Sequence, residues 1–588
     1  MSAMAGGLVP AAISSPCNSS FACSFPNRGH LFPNPSRRSR VVHRKISCTK
    51  SDDDQEAETT AGAMIERRNV LVGIGGLCGA AAGLGMGNTA LGMPVGTDLS
   101  ACYPASPVPP CGSVTSITCC LPPSTKIKDF KPPPKDTPLR VRPAAHLVND
   151  EYVAKYTEAV KRMRELPPED PRNLMQQANV HCAYCDGAYR QLGFPDVTLQ
   201  VHGSWLFFPF HRLYLYFHER ILGKLIGDDT FALPFWNWDA PGGMRMPSIF
   251  NNPSSSLYDT LRDPNHLPPV TIDLDYSRSN PDNTPEDRLI FQNLCIMHRQ
   301  MVSGAKKPSL FFGSPLRAGE TDASAGTIET MPHNNVHAWT GTTTGCGENM
   351  GNFYSAARDP IFYCHHSNVD RLWHLWKKDP RHHEFNDSDW FESSFFFYDE
   401  NADLVRVKIK DCLEPELLRY KYQDVEIPWQ NKRRAPILPK KRRDDAKSRK
   451  AAVVATQFPV KLESPVSVTV KRPKVSRSKE EKEEEEEVLV IQGIEVGHGN
   501  FIKFDVLVNA TETDGITPAG SELAGSFVNV PHAHREGKKR RMKLVLGITD
   551  LLEEIGADGE DSILVTIVPK AGGDKVSIGG VGIELVKS

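Results

Sequence analysis

The stretch Met331–Gly341, MPHNNVHAWTG, sets His333 and His337 four residues apart. On a helix that spacing puts both imidazoles on one face, within reach of a single ion. Zinc proteases use the same spacing but place a glutamate directly after the first histidine as general base. Asn334 holds that position here, which excludes the protease chemistry. By itself the pair fits either a metal site or two histidines on an ordinary helix.

Further histidines favour a metal. RDPIFYCHHSNVDRLW places His365 and His366 at the opening of an amphipathic helix, so a helix pair and a following helix start offer three imidazoles to one ion. Upstream, NVHCAYC, TLQVHGSW and FPFHRLYLYFHER contribute His181, His202 and His211. Two three-histidine groups predict two metals, which helical bundles commonly hold between facing helices. Di-iron bundles recruit glutamates in Glu-x-x-His patterns, and no such repeated set occurs in this region. Imidazole-only ligation suits copper, and neutral ligands let it cycle between Cu(I) and Cu(II). Zinc stays open on ligand chemistry alone, although two adjacent His-only zinc sites would lack an evident base.

These groups need elements to position them. Helical periodicity is clear in DEYVAKYTEAVKRMREL, FPFHRLYLYFHERILGKLI, PEDRLIFQNLCIMHRQMV and HHSNVDRLWHLWKKD, joined by long loops rich in Gly, Asn and Asp. Long loops in a compact domain usually carry function. The expectation is a mainly α helical-bundle catalytic domain with long loops over 93–430. NKRRAPILPKKRRDDAKSRK then opens a basic linker, 431–455, open to a protease. Beyond it, VSVTVKRP, EVLVIQGIEV, NFIKFDVLVNA, GSFVNVPHA, KLVLGI, SILVTIVPK and VGIELVK read as strands. They predict a C-terminal all-β sandwich or barrel over 456–588. The acidic run Glu480–Glu487 reads as a solvated loop tip. His532 and His534 lack partners at ligand spacing.

A chain of 588 residues needs more than one core. Its net charge of −2 argues against nucleic acid as the main partner. Residues 1–50 hold no Asp or Glu but nine Ser and seven Lys or Arg, the composition of an organelle transit peptide. A twin arginine, Arg67 and Arg68, precedes an apolar run from Val70 to about Met86, and Ala90-Leu91-Gly92 offers a small-residue cleavage site. The run is glycine-diluted and barely long enough to span a bilayer, so a twin-arginine export signal fits better than an anchor. Transit followed by export over 1–92 implies a plastid route through the thylakoid export machinery, ending in the thylakoid lumen. The grouped cysteines Cys102, Cys111, Cys119, Cys120, Cys182 and Cys185 suit an oxidising compartment or a metal site.

Residues 93–588 resemble the plant polyphenol oxidases, coupled dicopper (type 3) proteins of the tyrosinase and catechol oxidase family. The motifs carrying this are HCAYCDGAY, HGSWLFFPFHR, HNNVHAWTG, NMGNFYSAARDPIFYCHHSNVDRLW and KFDV. The resemblance implies two copper ions, one on His181, His202 and His211, the other on His333, His337 and His366. It selects His366 over His365. It also implies a thioether between Cys185 and His202, and disulfides Cys102–Cys120 and Cys119–Cys182, with Cys111 a nearby competitor for Cys102. Phe353 matches the residue stacked above the second copper. Glu329 and Asn334 match a pair proposed to hold a water as base for monophenols; packing or capping serves Asn334 equally. Asp370 could bond His366 as an outer partner, or pair with Arg371 or a neighbouring helix. His218, His298, His374, His382 and His383 match no motif and read as structural or exposed. Tyr420 and Tyr422 mark the end of the catalytic domain.

The implied activity is oxidation of o-diphenols to o-quinones with reduction of O2 to water, with some o-hydroxylation of monophenols. The resemblance also implies that the C-terminal domain covers the site and keeps the enzyme latent until a protease cuts the linker. Two alternatives stand: a narrow biosynthetic phenol oxidase or hydroxylase, and a non-enzymatic dioxygen-binding protein.

Overall fold

Asn149 starts the first long helix. Its side chain accepts a hydrogen bond from the Tyr152 amide, and Asp150 and Glu151 occupy the first turn of α1 (Asp150–Glu165), where the helix dipole favours them. Tyr156, Ala159, Val160 and Met163 form its buried stripe. An Asn173 cap opens α2 (Leu174–Cys185). The central helix α3 (Phe207–Ile226) is buried at sixteen of its twenty residues, so it is a core helix rather than a surface one. It stops where Gly227 turns left-handed (φ 69°) and its amide bonds the Gly223 and Lys224 carbonyls. α4 (Glu286–His298), α5 (Asn334–Thr340) and α6 (Ile361–Lys377) follow, with long loops between them.

The computed structural model describes residues 92–105, 118–278, 284–432, 434–436, 456–497, 499–510, 515–531 and 541–587. The twin arginine, the apolar run, Cys111, most of the basic linker, His532 and His534 lie outside these residues. Among the described residues no helix is long and apolar enough to cross a membrane.

A buried charge cluster locks the helices. The segments Arg140–Arg142 and Tyr420–Tyr422, from opposite ends of the helical region, pair as parallel strands. Arg140 and Arg142 share Glu219 of α3 at 2.8 Å each, and Arg142 continues to Asp370 of α6 at 3.1 Å. Asp370 also takes Arg212 at 2.5 Å, the Tyr420 hydroxyl at 2.6 Å and the Tyr422 hydroxyl. Of the partners open to Asp370 in the sequence, a neighbouring helix is therefore the one it uses. Fully buried ions need such multiple pairing, because their desolvation is costly. The cluster fixes α3 against α6.

The C-terminal region is a sandwich of two antiparallel sheets. Its strands are β1 (Val460–Lys461), β2 (Val466–Lys471), β3 (Glu485–Val496), β4 (Ile502–Val508), β5 (Leu523–Asn529), β6 (Arg541–Gly547), β7 (Ser562–Ala571), β8 (Val576–Ile578) and β9 (Gly580–Lys587). One sheet runs β2-β7-β4-β5; the other runs β6-β3-β8-β1, with β9 also along β3. Alternate residues such as Leu489 and Ile491, Phe504 and Val506, and Ile563, Val565 and Ile567 fill a core separate from that of the helices.

The acidic run departs from its expected place in a solvated loop. Lys479–Glu484 is a short helix with a Ser478–Glu481 capping box, and Glu486 and Glu487 are already inside β3, fully buried. Arg472 meets Glu487 with two bonds, at 2.7 and 2.9 Å. The pairing cations are distant in sequence or hidden among other basic residues, so charge composition alone could not place these glutamates inside.

β5 is an edge strand, yet all seven of its residues are buried. Its outer side packs on the turn Glu329–His333 and on α5, and Val528 joins the apolar core of the helical domain. Polar contacts extend this junction. Lys503, the first residue of KFDV, is 1% exposed and bonds the Asp275 carboxylate at 2.6 Å. Arg299 donates to the Gly547 carbonyl at 3.2 Å, and Lys306 pairs with Asp550.

Candidate metal centre

α2 carries His181 and α3 carries His211, while His202 comes from the loop between them. The three rings lie 5.2–5.7 Å apart, centroid to centroid. The second group is built by the turn Glu329–His333, α5 and α6: His333 and His337 are 4.6 Å apart, and His366 lies 4.9 and 5.4 Å from them. His211 and His366 stack across the two groups at 4.1 Å and 11°. The arrangement is thus a single buried assembly of two triads. His365 also lies within the second group, its nitrogen within 4.8 Å of the others.

Backbone carbonyls fix most of these rings. The Nδ1–H groups of His181, His211, His333 and His337 donate to Phe353 O (2.9 Å), Phe207 O (2.8 Å), Glu329 O (3.2 Å) and Met350 O (2.8 Å). A neutral ring with its proton on Nδ1 presents a lone pair at Nε2. The Nε2 atoms of His181, His211 and His333 are buried and meet no protein partner, and those of His337 and His366 approach to 3.2 Å. Buried acceptors are ordinarily satisfied. Lone pairs left converging in two groups fit a pair of metal ions.

Burial also keeps the imidazoles neutral. It pushes His181, His202, His333 and His366 well below the ordinary histidine value, His211 down to about 3 and His337 to about 4. The neighbouring rings reinforce this for His181, His202, His333 and His366. No proton therefore competes for these nitrogens at neutral pH.

Glu329, Asn334 and Phe353 all line one small cavity beside His202. Glu329 Oε1 accepts from the Gly203 amide at 2.6 Å. Asn334 Oδ1 accepts from His333 Nδ1 at 3.0 Å, and its Nδ2 donates to the Val528 carbonyl at 2.8 Å. Phe353 differs from expectation. Its ring stacks on His202 of the first group, at 4.2 Å and 14°, and is edge-on to His337 at 6.3 Å. The reason is the turn it sits in: Met350 O holds His337 while Phe353 O holds His181, so the side chain falls on the first group.

Phe527, Val528, Asn529 and Val530 of the β domain line the cavity on the side facing β5. Nothing in the local sequence of β5 marks it as a cover; the signal is its burial on both faces, which only the fold reveals. Cys102 pairs with Cys120 and Cys119 with Cys182, the latter bridge tying the N-terminal loop to α2. Cys185 is a buried free thiol, its sulfur within 4.8 Å of a His202 ring nitrogen.

Three stretches match known family descriptions: 171–379 the common central domain of tyrosinase, 384–435 the polyphenol oxidase middle domain, and 458–585 the chloroplastic polyphenol oxidase C-terminal domain. The chain is 49% identical to a chloroplastic polyphenol oxidase of Vitis vinifera, over 96% of this chain and 95% of that one. It is equally 49% identical to aureusidin synthase of Antirrhinum majus, over 94% of this chain and 100% of that one. Among solved structures, latent apple tyrosinase superposes with a TM-score of 0.73 at 53% identity, covering 79% of this chain and all of that one.

Proposed function

This chain belongs to the plant polyphenol oxidases of the tyrosinase family, and on that footing we propose that it oxidises o-diphenols to o-quinones with O2 as acceptor, as a latent enzyme. The observation that carries this reading is the pair of buried triads with converging, unprotonated nitrogens. We assign one copper to His181, His202 and His211, and the other to His333, His337 and His366. When bound, the copper pair supplies the redox change by which two catechols give two quinones while one O2 becomes two waters.

The chain's own groups do the rest. Main-chain carbonyls hold the rings in place, so little reorganisation accompanies a change of oxidation state. Phe353, flat on His202, restricts the approach of an aromatic ring. Glu329 and Asn334 are positioned to hold a water that takes the proton of a monophenol. A thioether from Cys185 would fix the orientation of His202, which sits in a loop while the other two rings of its triad sit on helices.

Latency follows from the cover. With β5 seated, Phe527, Val528 and Asn529 form a wall of the cavity beside His202, on the side from which a phenol ring would approach. Cutting or loosening the chain within 431–455 would let the β domain leave. Oxygen uptake by the copper-loaded chain with 4-methylcatechol, before and after limited proteolysis of that segment, tests the whole reading. Uptake that rises on cutting supports it, and no uptake in either form, with copper bound, rejects it.

A narrow biosynthetic role is the second reading. It is favoured by one observation: identity to aureusidin synthase equals that to the Vitis polyphenol oxidase. Rates over a panel of simple and substituted phenols separate the two. The relatives are chloroplastic by name, which supports a chloroplast location. The twin arginine supports the finer address, the thylakoid lumen, reached through the export machinery.

A further inference from the structure

The second triad has a surplus histidine. His365 and His366 are neighbours, both wholly buried, and both present a nitrogen to the group containing His333 and His337. Neither burial nor proximity separates them. The hydrogen bonds do.

Trp238 lies beside His365, and its indole Nε1–H donates to His365 Nδ1 at 3.1 Å. An indole nitrogen can only donate, so Nδ1 of His365 must be the acceptor. The proton of a neutral ring then sits on Nε2. Both nitrogens are thereby spent: one lone pair is engaged by Trp238, and the other position is an N–H. That N–H finds no acceptor among the protein atoms. His333 and His337 show the opposite pattern, with Nδ1–H on a carbonyl and the lone pair at Nε2.

The tryptophan is held firmly enough to impose this. It is fully buried, and the adjacent Asp239 accepts from Asn368 at 2.9 Å, from Arg371 at 3.2 Å and from Trp429 at 2.8 Å. The amide of Trp236 donates to the Cys364 carbonyl at 2.9 Å. The segment 236–239 is thus clipped along the helix that carries both histidines.

We propose that Trp238 is a positioning residue that withholds His365 from the second copper by fixing its tautomer, leaving His366 as the third ligand. This rests on the reading of the two triads as copper sites. Trp238→Phe keeps an aromatic ring but removes the donor. His365 can then move its proton to Nδ1 and turn a lone pair into the group as a fourth imidazole.

The test uses the copper-loaded full chain as wild type, His365→Gln, His366→Gln, Trp238→Phe and the Trp238→Phe/His365→Gln double variant. Metal analysis gives copper per chain, and extraction by a Cu(I) chelator from the reduced protein gives retention. Expected are two coppers in wild type and in His365→Gln, and one in His366→Gln. Trp238→Phe should release its second copper about tenfold more slowly, the scale on which partners of metal-bound histidines act. The double variant should return to the wild-type rate, which a merely structural role of Trp238 would not produce. Loss of a copper in His365→Gln overturns the proposal. So does wild-type extraction from Trp238→Phe, or failure of the double variant to revert. If Trp238→Phe does not fold, 15N NMR of histidine-labelled metal-free wild type decides the matter: a His365 ring protonated at Nε2 supports the proposal, and one protonated at Nδ1 overturns it. Wild type failing to hold two coppers rejects the copper reading itself.

Discussion

The side-chain amide of Asn334 donates to the main-chain carbonyl of Val528 at 2.8 Å, joining residues 194 positions apart across the boundary of the two domains. The same amide's oxygen accepts from His333. The cover and the second triad are therefore linked through one side chain, and the β domain orients a group of the site as well as closing it.

Loosening that cover should relieve latency without a cut. Lys503, itself buried, pairs at the junction with Asp275, whose side chain is part-exposed, so removal of the lysine takes away a tie between the domains. Lys503→Ala should raise catechol oxidation by the uncleaved chain several-fold, toward the rate of the cleaved enzyme. Oxygen uptake measures it, and a rate equal to that of the latent wild type refutes the role of this contact.

Asn334 should matter more for monophenols than for diphenols. In Asn334→Gly, His333 keeps its bond to the Glu329 carbonyl, so copper binding should survive. After proteolysis, hydroxylation of a monophenol should drop selectively. An unchanged ratio of the two activities removes Asn334 from proton transfer.

Acid should weaken both the metal-free fold and copper binding. Burial lowers His211 to about 3 and His337 to about 4, whereas an unfolded histidine titrates near 6.5. Between those values the unfolded chain binds more protons than the folded one, so this stability is complete above about pH 7 and is lost as pH falls toward 4. The Tm of the metal-free chain should decrease over that range. A flat profile would mean the triads are not as dry as their burial indicates.

Asp370→Ala should be severely destabilising. It removes the buried carboxylate that Arg212 pairs with and one of the two that Arg142 pairs with, and takes the acceptor from two tyrosine hydroxyls, at a cost of about 3–5 kcal/mol. The expected readout is a lower Tm with copper ligation lost in step, because α3 and α6 both lose their tie. Unaltered stability would show that the cluster is not what fixes the two helices.

Cys185 should be bonded to His202 in copper-loaded protein that has turned over. A tryptic peptide carrying both residues, two hydrogens lighter than its parts and resistant to thiol alkylation, is the signature. Free, alkylatable Cys185 in active enzyme would exclude the bond.

The chemistry was legible early because it is local. Histidine type and spacing limit the metals, and an i, i+4 pair needs only one helix to meet an ion. The strand periodicity of the C-terminal region is local too, and seven of its strands are visible as alternating or apolar runs. What stayed hidden was which groups become partners. Glu486 and Glu487 looked solvated because Arg472 is one of several basic residues just upstream, and Lys306 of the helical domain lies far away in the chain. Phe353 sits on the first triad because its turn serves both groups through main-chain carbonyls, which carry no side-chain signature.

By itself, then, the sequence determined what the site is made of: two sets of histidines in a helical region, followed by a strand-rich C-terminal region. Only the tertiary structure decided how those parts are used. It chose β5 as the cover, placed Val528 against Asn334, and set Trp238 against one of two adjacent histidines. Each of these is a contact between residues more than a hundred positions apart. Such contacts depend on how elements pack, and packing is settled by burial and hydrogen bonding across the whole chain rather than by any local pattern.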